Sequence, residues 1–204
     1  MINPDFFALY HKICVSLQRM RLVRRPWIWL SRFRHRRGYG VHSPFAYTFI
    51  RDVALERSQY YAYDTLAKLH PWWVRWFGLY PLTCRRLLFR VANYVHPQAI
   101  RVIGGTDIEN RYLQAAVPSA TITDKAADFV YVSRNQQNEA QDIAASMPSN
   151  GVMVVEGIHA DSKALNTWHQ IQADDHTGIS FDLYTYGIVF FDQSRHKQQY
   201  IVNF

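Results

Sequence analysis

Cysteine is nearly absent: two in 204 residues, Cys14 and Cys84, each set in a helix-like apolar pattern and with no CxxC spacing. That scarcity excludes a disulfide framework and a zinc ribbon, and both thiols read as reduced and buried. Long hydrophobic runs are missing too. No uncharged apolar stretch approaches the ~20 residues that span a bilayer. Asp5 sits where a signal peptide would carry basic residues, so the expected location is cytoplasmic. Neither an internal repeat nor a low-complexity tract is present, which removes solenoids and linkers from consideration.

Acidic residues are absent from one place in particular. Residues 1–37 hold nine Lys and Arg residues against Asp5 alone, a net +8 in a chain whose total is +7, so the remainder is close to neutral at −1. A basic arm on a near-neutral body points to an anionic partner, either nucleic acid, an anionic membrane surface or an acidic protein. Peripheral attachment to a membrane would follow from the second. A solvated arginine face accounts for the same residues without any partner.

What is present suits a folded protein: 49% hydrophobic and 19% charged residues, in a length that allows one sizeable core and an extension. Residues 5–23 place Phe6, Phe7, Tyr10, Ile13, Cys14, Leu17 and Met20 on one helical face. Beyond Pro26, Trp27, Ile28, Trp29, Leu30 and Phe33 interleave with arginines. Such a stretch suits stacking on bases, lying at a membrane interface, or packing as a helix on the body. Ser43 followed by Pro44 predicts a helix start, and the helix over 44–56 would bury Phe45, Phe49, Ile50 and Val53. The aromatic cluster from Tyr60 to Tyr80 reads as core or as a self-association surface, which admits a homodimer. A further helix over 83–94 presents Leu87, Leu88, Val91 and Ala92.

From residue 99 short apolar runs alternate with helix-like segments, the pattern of βα units in a parallel sheet. Strands are expected at 100–103, 120–123, 129–132, 151–155, 179–184, 187–191 and 199–204, with the last three read as antiparallel neighbours. Helices fall at 108–116, 139–147 and 163–171. The expected organisation is a basic helical extension over 1–62, an aromatic-rich helical connection over 63–95 and an α/β domain over 96–204.

Several segments carry a resemblance. Gly38-Tyr39-Gly40-Val41-His42-Ser43-Pro44-Phe45, Leu87-Leu88-Phe89-Arg90, Asp128-Phe129-Val130-Tyr131-Val132, Ile158-His159 with Trp168, and Phe181-Asp182-Leu183 with Gly187-Ile188-Val189-Phe190-Phe191 are similar to a bacterial group of class I S-adenosylmethionine-dependent methyltransferase-like proteins. The resemblance implies a Rossmann-like doubly wound sheet of the methyltransferase type with antiparallel C-terminal strands, and S-adenosylmethionine as the cofactor. It places the cofactor turn at Gly104, Gly105 and Asp107, the ribose carboxylate at Asp124, and a further contact at Ser133. In the ungapped register the family acid falls on Arg101 and its glycines on Ile103 and Asp107, so the signature is eroded. Only Lys125, Ala126 and Ala127 separate Asp124 from Asp128, where the resembling proteins carry a helix, a strand and another helix that wall the adenine. The expected sheet is therefore short by about one strand.

At the next strand ends Ser133-Arg134-Asn135-Gln136 and Glu156-Gly157 replace acidic sequences, and Glu156 with Ser133 offers too few oxygens for a divalent metal. Glu156 and His159 remain as a catalytic base and its orienter, unless His159 is a structural histidine tied to backbone. Together these features imply a methyltransferase-fold protein with an eroded cofactor site that acts as a binding protein. The alternative is an active methyltransferase of unknown substrate.

Overall fold

The computed structural model describes residues 30, 32, 41–72, 75 and 80–204. The helix expected over 5–23, Cys14, the glycines at 38 and 40, and Trp73, Trp76 and Phe77 lie outside them. Among the described residues no helix is long and apolar enough to cross a membrane.

The helix start at Ser43 forms as the residue types dictate. Ala46 donates its backbone N–H to Ser43 Oγ at 3.4 Å, and Pro44 occupies the first turn of α1 (Pro44–Phe49), where a missing N–H costs nothing. The chain then widens into a π-helical turn, Ile50–Ala54. Its end is held from a distance: Arg90 Nε donates to the Val53 carbonyl at 2.7 Å and Nη2 to that of Ala54 at 3.0 Å. Helix ends leave such carbonyls orphaned, and a buried arginine fork satisfies two at once. A short α2 (Tyr63–Ala67) and the long α3 (Tyr80–Val95) follow.

Seven strands make one sheet: β1 (Ala99–Ile103), β2 (Thr121–Ile122), β3 (Phe129–Val132), β4 (Val152–Glu156), β5 (Ile179–Asp182), β6 (Tyr186–Phe190) and β7 (Gln198–Ile201). Their order is β2-β1-β3-β4-β6-β5-β7, and every strand but β6 runs the same way. Helices α4 (Asp107–Ala116), α5 (Ala140–Ser146) and α6 (Ser162–Ala173) make the connections. This is a mixed, mostly parallel α/β sheet of Rossmann-like character. The last three strands depart from the expected antiparallel set. β6 is already paired on both sides, by β4 and β5, so β7 adds to the free edge of β5 and lies parallel to it.

Alternation along the strands divides the core in two, as successive side chains must. Phe129, Tyr131, Val152, Val154, Phe181 and Ile188 join α1, α2, α3 and α4 on one face. Val130, Val132, Met153, Val155 and Val189 join α5 and α6 on the other. Covered faces on both sides explain why β3 and β4 read as continuous apolar runs. Buried residues from Ala46 to Leu66 and from Cys84 to Ala92 thus share one core with the sheet. Gly187 belongs to the second layer: the Trp168 ring lies where its Cβ would be, so only glycine admits the indole there.

Candidate functional site

Parallel strands end on a common edge, and in open α/β sheets that carboxyl edge is where ligands bind. Here it collects Gly104 and Gly105 after β1, Ser133 after β3, Glu156 and His159 at and beyond the end of β4, and Asp182 at the end of β5. Three distinct arrangements result.

The first is the glycine turn. Gly104 takes a φ of +65°, a conformation that favours glycine. A Cβ on Gly104 would run into Ser133 Oγ and the Gln136 side chain, while one on Gly105 would meet Val102. The close approach that glycine permits is therefore taken by the chain's own side chains. Ser133 donates its N–H to Ile103 O at 2.9 Å, and its hydroxyl is buried without a hydrogen-bond partner among the described residues. Thr106 then caps α4 in a reciprocal box with Glu109, whose Oε2 accepts the Thr106 N–H at 2.7 Å. Asp107 points outward and pairs with Arg111 at 2.5 Å across one helical turn. Asp124 is exposed beyond the two-residue β2, the outermost strand on that side.

The second arrangement is a buried ionic network that the sequence did not announce. Arg85 of α3 reaches the sheet edge, where Nη2 pairs with Glu109 Oε1, Nη1 donates to Tyr186 Oη at 2.6 Å and approaches Glu156 Oε1 at 3.4 Å. Tyr131 Oη donates to Glu156 Oε2 at 2.6 Å, and its ring lies 6.0 Å from the guanidinium carbon. Burial opposes the charge on Arg85, but the tyrosines and glutamates around it outweigh that and raise its pKa. Burial in turn raises Tyr131, aided by the Glu156 carboxylate, so the phenol keeps its proton. Glu156 is thus committed to Arg85 and Tyr131.

The third arrangement joins two residues 150 positions apart in the sequence. Arg32 grips Asp182 with both arms of its guanidinium, Nη1 to Oδ1 at 2.9 Å and Nη2 to Oδ2 at 3.0 Å, and donates to the Asp182 carbonyl at 3.2 Å. His159 Nε2 lies 2.7 Å from Asp182 Oδ2 and 3.0 Å from Arg32 Nη2. Its ring stacks on Tyr184 at 4.7 Å and 6°, and the Arg32 guanidinium lies 5.1 Å from the same tyrosine ring. Burial would raise the Asp182 carboxyl, yet hydrogen bonds from His159 and Arg32 and the Arg32 charge outweigh it and hold it down at about 2. The base and orienter expected from sequence are consequently engaged apart, Glu156 in the second arrangement and His159 in the third.

Beside the edge, Arg134, Gln137, Asp161 and Lys163 line a polar cavity of about 110 Å³. Among the described residues no three His, Cys, Asp or Glu side chains gather as a metal site. No family model matches the chain, and no curated protein matches it. The residues that sequence reasoning passed over, Arg85, Tyr131, Asp182, Tyr184 and Tyr186, are polar groups inside apolar segments. That interruption was a visible signal for all of them, and Tyr131 and Asp182 also stand within the resembling segments.

Proposed function

We propose that this protein has a methyltransferase-like fold put to binding, with the cofactor turn converted into an internal joint. The filled space at Gly104 carries the reading. In a working turn that space admits the methionine part of S-adenosylmethionine, and here Ser133 and Gln136 stand in it. The remaining candidates point the same way: Asp107 is paired with Arg111, and Asp124 is exposed on the outermost strand with no further strand beside it. Those residues do not fit S-adenosylmethionine, because the turn is filled, Asp107 is paired and Asp124 stands apart on the outer strand. In this reading the strand order and the one antiparallel strand are what remains of the parent fold, and the basic arm supplies the contact to an anionic partner, nucleic acid or an anionic membrane surface.

Titration calorimetry with S-adenosylmethionine and S-adenosylhomocysteine tests this. A dissociation constant no tighter than roughly 100 μM, about −5.5 kcal/mol, is expected for either. Low-micromolar binding of S-adenosylmethionine that disappears in Asp124→Ala would restore the enzyme and reject the binding-protein reading.

A further inference from the structure

The Arg32 contact is built like a binding site rather than like a surface ion pair. Asp182 presents both carboxylate oxygens to the guanidinium fork and its own backbone carbonyl beside them, a geometry that matches arginine and not lysine. His159 and Tyr184, stacked on each other, close further sides. The side chains of Arg32 and Asp182 keep only 12% and 10% of their surface exposed. Tyr184 holds a φ of +68°, unusual for a tyrosine, and its N–H donates to Asp182 Oδ1 at 2.7 Å. The tight turn from β5 into the antiparallel β6 sets that φ, and it aims the Tyr184 N–H at the carboxylate. The pocket lies at the carboxyl edge of β5, on a different strand from the glycine turn.

We propose that Asp182, His159 and Tyr184 form an arginine-recognition pocket that Arg32 occupies in cis, and that the pocket takes an arginine of a basic partner segment in trans when Arg32 leaves it. The occupant comes from a run of sequence that holds Arg24, Arg25, Arg34, Arg36 and Arg37 around Arg32, so an arginine-rich segment is the chemistry the pocket would meet in trans. The tethered arginine competes at an effective concentration that a free peptide must overcome. This holds whether or not any cofactor binds at Gly104.

The test uses the full chain and a doubly capped tripeptide of residues 31–33, with its lysine counterpart, followed by NMR titration of the His159 ring and Tyr184 amide signals. Arg32→Ala is expected to bind the arginine peptide at least about tenfold tighter than the parent, because the cis competitor is gone. The lysine peptide should bind Arg32→Ala at least about tenfold more weakly than the arginine peptide, because an ammonium cannot set two parallel N–H···O bonds from two nitrogens onto the carboxylate. Adding Asp182→Asn should abolish the difference. Arg32→Lys serves as the opened variant if Arg32→Ala does not fold. Equal affinity of the parent and the opened variant, equal affinity for the two peptides, or binding that survives Asp182→Asn would overturn the pocket.

Discussion

At the scale of single residues, two charges decide the character of the carboxyl edge. Arg85 is the cation set between two carboxylates, the buried Glu109 and the partly exposed Glu156. Its removal leaves the buried Glu109 and the partly exposed Glu156 without their cation, so Arg85→Leu is expected to lower stability by about 3–5 kcal/mol. A denaturant melt of the variant coinciding with that of the parent would show the network to be ornamental. Asp182 makes a pH-dependent contribution whose sign follows from its depressed pKa. The carboxyl sits at about 2 in the fold against an ordinary 3.8, so the stability it adds is complete above the ordinary value and is lost as pH falls toward 2. Unfolding free energies of the parent and Asp182→Asn should therefore differ by a constant amount near pH 5 and converge by pH 2. A gap unchanged across that range would contradict the shift.

At the scale of elements, α1 and its π-helical extension dock the region before the sheet onto the core. Ser43 supplies the cap, while Phe49 is fully buried and packs against Phe181 at 4.5 Å and Phe190 at 5.1 Å. Phe45 lies half-buried at the margin, edge-on to Phe190 at 5.2 Å. The long 3.4 Å cap bond puts Ser43→Ala at about 1 kcal/mol. Phe49→Ala should cost about 3–5 kcal/mol, with Phe45→Ala below it in proportion to its exposure. Thermal melts of the three variants check the ranking. Phe45→Ala costing more than Phe49→Ala would mean that the docking surface has been misidentified.

At the scale of the molecule, the basic arm and the α/β body are joined at Arg32. Polyanion binding through the arm should weaken steeply with salt, since affinity then comes from released counterions. The clean test leaves Arg32 in place: Arg19, Arg21, Arg24 and Arg25 are changed together to Gln, and retention on heparin or RNA is followed against salt concentration. A loss of up to about 4 in the log–log salt slope is expected, less where an arginine makes no phosphate contact. An unchanged slope would remove the arm from the interaction. Flotation with anionic and neutral liposomes separates a membrane partner from nucleic acid.

The local pattern was enough for the elements themselves. Ser43-Pro44 marked a helix start, the four-residue run at 129–132 is β3 to the residue, and the apolar run at 151–155 falls on β4, which is covered on both faces. Periodicity and capping act over a few residues and are written into the chain directly. Pairing across the sheet is different. β7 chose β5 because β6 had no free edge, and no property of residues 198–201 records that competition. The same holds at the carboxyl edge, where Asp182 lies 23 residues from His159 and 150 from Arg32, and Arg85 lies 71 from Glu156. Sequence determined which segments would be helix or strand and where a glycine turn would fall. Tertiary structure alone decided which charge meets which, because a buried carboxylate takes the nearest cation that the fold carries to it, however distant along the chain.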